Sequence, residues 1–267
     1  MVKQYSDRES FTVDDLLGIM RVLRAPGGCP WDREQDHHSI RGAVIEEAYE
    51  AAEAIDREDD AALCEELGDV LLQTVFHADI AEESGAFTFA DVAGGICRKL
   101  ILRHPHVFGD GQADTSGEVL TQWDRIKREE KGQRSAADTL KSVPVTFPAL
   151  MRAAKVHKRA ACAGFDWADD LSAFAKVKEE LGELEAAAGE SPARAEEELG
   201  DLLFAAADIA RRLHIDPELA LTRATDKFIA RFAKMEETIS AAGGVMSACA
   251  PDELERVWRE AKENVIP

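Results

Sequence analysis

The sequence predicts an all-α protein made of two related helical domains in tandem, and three observations carry that prediction. Apolar residues recur at helical spacing through most of the chain, as at Leu16, Leu17, Met20 and Leu23. Alternating strand patterns are scarce. The stretch "EELGDVLLQTVFHADIAEE" from Glu65 is echoed by "EELGDLLFAAADIARRL" from Glu197, with apolar residues in matching places.

In chain order, the first helical run stops at "APGG", a stretch of helix breakers. "EEAYE" follows with Glu46, Glu47 and Glu50, then E-E-L-G-D with Glu66 and Asp69. Downstream, "RKLILR" sets Lys99 and Arg103 four residues apart, and "WDRIK" does the same with Trp123 and Lys127. Periodicity lapses near "KGQRSAADTLKSVPVTFP", so the first domain is placed at 1–131, a linker at 132–147 and the second domain at 148–267. A helix from Pro148 to Ala163 is expected, opening on proline and closing before Gly164. The motif series then repeats: "EELGE" with Glu179, Glu180 and Glu183, E-E-L-G-D with Glu198 and Asp201, "DKFIAR" with Lys227 and Arg231, "WREAK" with Trp258 and Lys262. Two copies are too few for a solenoid, so each copy is expected to be compact by itself or to pair with another. Leu199, Leu202 and Leu203 are expected to fasten the second E-L-G-D helix to its core, with Gly200 leaving room beside the acids.

Composition narrows the function. Acidic residues outnumber Lys plus Arg by 52 to 32, a formal net charge of -20 that repels a phosphate backbone, so nucleic acid is not an expected partner. Five cysteines without a C-x-x-C pair suggest neither a disulfide framework nor a zinc site, and a reducing cytoplasm fits them. No apolar run reaches the length of a membrane span. His37, His38, His104 and His106 show no metal-ligand spacing of their own and read as structural or loop histidines.

The acidic motifs carry the chemistry. At roughly 100° per residue, Glu179, Glu180 and Glu183 share one arc of a helix, and Glu198 and Asp201 stand about 60° apart on another. A lone E-E-x-x-E is most often a solvated face. Here the acids adjoin apolar positions, the two motifs are one helical hairpin apart, and the arrangement occurs twice. If the hairpin packs antiparallel, four carboxylates converge, and such like charge requires a cation. Oxygen-only donors select a hard ion, Mg²⁺ or Mn²⁺. A di-iron bundle needs Glu-x-x-His on two helices, and the one such pair, Glu34 with His37, stands alone outside the motif helices.

The ordered set of E-E-x-x-E, E-x-x-D, K-x-x-x-R and W-x-x-x-K, with "CPWDREQDHHS", "RHPHVFGD" and "GFDW", resembles the MazG family of tandem-domain nucleoside triphosphate pyrophosphohydrolases over nearly the whole chain. The resemblance implies an all-α NTP pyrophosphatase fold and Mg²⁺ dependence. It also implies a homodimer whose helices complete the sites, and hydrolysis of NTPs or dNTPs to the monophosphate and pyrophosphate. Expected metal ligands are Glu180, Glu183, Glu198 and Asp201, and in the first copy Glu47, Glu50, Glu66 and Asp69. Expected nucleotide contacts are Lys176, Lys227, Arg231, Trp258 and Lys262, and in the first copy Lys99, Arg103, Trp123 and Lys127. Glu179 and Glu180 are the candidate catalytic carboxylates, Glu179 being the nominee to activate water. A stacking tryptophan accepts any base, so broad nucleotide choice is expected. Lys176 has Ala43 as its first-copy counterpart, which marks the second copy as the principal site. The competing reading, an acidic dimeric adaptor for a basic partner, leaves the basic motifs downstream in each copy without a purpose.

Overall fold

A computed structural model describes Tyr5 and residues 8–133 and 135–264, and among these residues there are helices and turns but no strand. The chain divides into two compact units, residues 1–127 and 128–267. Helix ends follow local chemistry. Thr12 opens α1 (Val13–Arg24) with a capping box closed by Asp15, and Asp59 caps α4 (Asp60–Glu83). Ser191 and Pro192 open α11 (Pro192–Arg212). Each cap satisfies amide groups that the first turn of a helix leaves without partners.

In the first unit, α3 (Arg41–Asp56) and α4 pack along each other as a hairpin, and α1 crosses onto α4. The core joins Met20 of α1, Ile40, and Val75 and Phe76 of α4, with Leu16, Leu17, Leu71 and Leu72 packed against them. Arg24, its side chain 4% exposed, ties these elements together. It donates to Glu83 at 2.7 Å, pairs with Asp79 at 3.4 Å and lies 5.3 Å from the Phe76 ring. The short helix α2 (Pro30–Glu34) leads into the turn before α3. There the Nδ1 atoms of His37 and His77 stand 2.8 Å apart, with nearly parallel rings, so one imidazole donates to the other. Helices α5 (Phe89–Arg103), α6 (Pro105–Phe108) and α7 (Ser116–Glu130) complete the series.

The second unit repeats the hairpin with α10 (Asp170–Ala187) and α11. The expected helix at 148–163 is α9 (Ala149–Cys162), packed on α11, with Gly164 just beyond it at φ +91. Glu218 at the start of α12 (Pro217–Ala241) accepts from the amides of Leu150 and Met151 and so caps α9 from outside. Met235 and Ile239 of α12 form a core with Val257 and Ala261 of α13 (Pro251–Asn264).

Two expectations need correction. The 132–147 stretch, read as linker, holds a helix, α8 (Ala136–Lys141), whose start Ser135 caps, and Val143 beyond it is 2% exposed. Helix α8 is short enough to escape a periodicity test and packs on α9. Leu199 and Leu203 are 46% and 47% exposed, so they do not fasten α11 to its core, and a Cβ at Gly200 would meet nothing within 4 Å. The outward face of the hairpin is therefore apolar and uncovered within one chain.

Partial burial, and then the charge of His37, push the His77 imidazole below its ordinary range. Between that lowered value and about 6.5, the unfolded chain binds more protons than the folded one, so stability rises with pH. The first unit is expected to lose stability as pH falls through that window. Urea unfolding at about pH 7.5 and about pH 5.5 should show a larger loss for the natural chain than for His77→Gln.

Candidate metal and nucleotide site

The hairpins set the acids. In the first unit, one carboxylate oxygen from each of Glu47 on α3 and Glu66 and Asp69 on α4 lies within 4.8 Å of the other two. In the second unit the corresponding trio is Glu180 and Glu183 on α10 with Glu198 on α11. In the second copy three of the four expected carboxylates come within that distance and Asp201 does not, while in the first copy Glu50 adjoins the trio through its side-chain contact with Glu47 and its charge on Glu66. Glu50 stays exposed in the first copy, and Asp201 in the second. Glu179 also lies outside the second trio, exposed and held by Lys176.

The two clusters meet their own repulsion differently. In the first, partial burial followed by neighbouring carboxylates, Asp69 first, raises the Glu47 carboxyl above its usual range, and burial with Glu50 does the same to Glu66. The second cluster carries its own cations. Lys176 stands 2.7 Å from Glu179 and 2.6 Å from Glu180, and Arg194 binds Glu197 and Glu198. Glu180 and Glu198 are each 5% exposed, and burying a carboxylate without a partner is costly. The positions one turn before Glu47 and Glu66, Ala43 and Ala62, supply no charge in the first copy. Glu183 has no such direct partner among the described residues, and burial with Glu180 and Glu198 nearby raises its pKa.

Arg194 is the site residue that sequence reasoning missed. The signal was the four-residue spacing to Glu198, the same as from Lys176 to Glu180, but in a run as charged as "ARAEEE" it resembled an ordinary surface pair.

The basic and aromatic positions also differ between copies. In the first unit, two cations lie over the Trp123 ring, Arg103 at 4.8 Å and Lys127 at 4.6 Å. Arg103 is buried and Lys99 exposed. In the second, Trp258 packs on Phe228 with centroids 5.3 Å apart, and Lys262 stands 5.7 Å from its ring. An open cleft of about 300 Å³ adjoins this pair, lined by Phe228, Phe232, Met235, Leu254, Glu255 and Trp258. Lys227 and Arg231 run beside Phe228 and Phe232 along α12, and the Arg231 Nε is buried without a hydrogen-bond partner among the described residues.

These donors fit a hard dication. Each trio offers only carboxylate oxygens, the set that suits Mg²⁺ or Mn²⁺, and the raised carboxyls of Glu47, Glu66 and Glu183 mark charge that a cation would relieve.

The model of the MazG nucleotide pyrophosphohydrolase domain matches this chain twice, at residues 35–108 and 169–235. Each match contains one carboxylate hairpin. The nucleoside triphosphate pyrophosphohydrolase/pyrophosphatase MazG of Thermotoga maritima is 47% identical over 249 residues, covering 93% of this chain and 95% of that protein. The nucleoside triphosphate pyrophosphohydrolase of Escherichia coli K12 is 44% identical over 258 residues, 95% and 98% of the two chains. YabN of Bacillus subtilis, an uncharacterized protein, is 46% identical over 247 residues, which are 92% of this chain but 50% of its own length. With both hairpins inside matched segments and the Thermotoga and Escherichia relatives aligned along almost their entire length, this chain belongs to the MazG nucleotide pyrophosphohydrolase family.

Proposed function

We propose that the protein is a Mg²⁺-dependent nucleoside triphosphate pyrophosphohydrolase that converts NTPs and dNTPs to the monophosphate and pyrophosphate. The second copy is its principal site, and a homodimer its working form. The observation that carries the reading is the carboxylate trio with cations built into its rim, Glu180, Glu183 and Glu198 with Lys176 and Arg194. The names of the Thermotoga and Escherichia relatives support the reaction class. A triphosphate carries about four negative charges, so acids alone would repel it. Glu180, Glu183, Glu198 and Asp201 would hold Mg²⁺, which when bound neutralises the polyphosphate and polarises the phosphorus under attack.

The chain's own residues do the rest. Lys176, partly exposed, and Arg194, exposed, have long side chains and would exchange carboxylate for phosphate oxygens, stabilising charge on the leaving pyrophosphate. Lys227, Arg231 and Lys262 would grip the same polyphosphate, and Trp258 would stack on the base. Glu179, outside the trio, would orient the attacking water and take its proton. The first copy keeps its acids but lacks counterparts of Lys176 and Arg194, so it would hold a cation better than a nucleotide. Dimerisation would cover the apolar faces marked by Leu67, Leu199 and Leu203. No helix among the described residues is long and apolar enough to cross a membrane.

A pyrophosphate-release assay over a panel of NTPs and dNTPs with Mg²⁺ should show turnover of several bases. Glu180→Gln is expected to lower it by roughly 100-fold, the scale of losing one charge-stabilising group. Glu47→Gln should retain most of the turnover, and equal losses from both would reverse the assignment of the principal copy. Release of inorganic phosphate in place of pyrophosphate would overturn the reaction itself. Analytical ultracentrifugation should find a dimer, and Leu199→Glu with Leu203→Glu should convert it to monomer; an unchanged sedimentation coefficient would remove the apolar face from the interface.

A further inference from the structure

The aromatic cleft of the second unit has one charged residue in its lining, and nothing above gives that residue a role. Glu255 stands on α13 one turn before Trp258, beside Phe228, Phe232, Met235 and Leu254. We infer that Glu255 grades nucleobases, favouring those that present N–H groups on their pairing edge. The inference rests on the nucleotide reading of this site and adds to it the identity of the residue that discriminates.

Three observations carry it. First, the cleft's other lining side chains are aromatic or aliphatic, so they offer any base a stacking surface and little choice between bases. A carboxylate at the rim breaks that indifference, since it only accepts hydrogen bonds. Guanine offers it two parallel donors, N1–H and the 2-amino group. Adenine and cytosine offer one amino group, whereas uracil and thymine offer an N3–H flanked by two carbonyls that repel the carboxylate.

Second, Glu255 is available. Its ion pair with Arg259 is 3.7 Å long and highly exposed on both sides, a contact of little worth that a base edge can replace. Third, the cleft borders the cations that would hold the phosphates. Lys227 and Arg231 lie on the same helix as Phe228 and Phe232, and Lys262 lies over Trp258, so charge complementarity places the anionic end of a nucleotide beside this lining.

The first copy supplies the contrast. Leu120 occupies the position three residues before Trp123, and cations lie over the ring of that tryptophan. It lacks the discriminating acid, and its two cations approach the ring more closely than Lys262 approaches that of Trp258.

The test is kcat/KM for GTP, ITP, ATP, CTP and UTP with the full chain and three variants. The natural protein should prefer GTP over UTP by about tenfold, the scale of a good bidentate contact, with ITP, which lacks the 2-amino group, below GTP. Glu255→Leu, which copies the first domain, should bring the five substrates together by lowering GTP and raising UTP, and Glu255→Gln should also shrink the preference. Trp258→Ala should weaken all five alike. An unchanged GTP-to-UTP ratio in Glu255→Leu, or a flat profile in an active natural protein, overturns the role of Glu255 and leaves the pyrophosphohydrolase reading standing. Pyrophosphate release from none of the five overturns that reading and this inference with it. Glu255 is exposed on the helix surface, so its substitution does not threaten folding.

Discussion

Mutual repulsion among carboxylates held on adjoining helices is the constraint around which both units are arranged. Glu47 sits opposite Glu66 and Asp69, and Glu180 and Glu183 opposite Glu198, the carboxylate oxygens of each trio lying within 4.8 Å of one another. Such acids would ordinarily splay into water. They cannot, because α3 packs along α4 and α10 along α11, fixing the backbones from which they project. Rigid helices thus turn a charge run into a concentrated negative field, one that a hard, oxygen-seeking ion would suit.

The two copies resolve the same strain in different ways. Lys176 and Arg194 place positive charge one turn before Glu180 and Glu198, which permits those two carboxylates to be buried. Ala43 and Ala62 leave Glu47 and Glu66 without such help, and these acids remain half-buried with raised pKa. The aromatic ends diverge in parallel. Trp123 has both Arg103 and Lys127 over its ring, while Trp258 lines a cleft. The two copies therefore share an acid hairpin but differ in the cations beside its acids and in the surroundings of the tryptophan.

The apolar faces of the acid hairpins belong to the same logic. Leu67, Leu199 and Leu203 follow the acids along their helices and are about half exposed. An apolar surface of that kind is a poor terminus for a soluble helix and a natural seat for another helix. Placing acids and leucines on one turn then serves two ends: the acids face the hairpin partner, and the leucines face outward.

The sequence by itself determined the all-α class, the duplication, the metal-suited acids and the family, because helical periodicity and motif order are local properties that survive without coordinates. It located α9 to within a residue, since proline and glycine punctuate both ends. It did not reveal α8, too short for a periodic signal, or the hydrogen bond between His37 and His77, which are 40 residues apart. Nor could it separate leucines that enter a core from leucines that leave one uncovered, because both have the same period. Which acids converge, which cations neutralise them and which tryptophan lines a cleft were decided only by tertiary structure. Those outcomes depend on side-chain distances across helices, and a carboxylate's character is set by the charges that packing brings within a few ångströms of it.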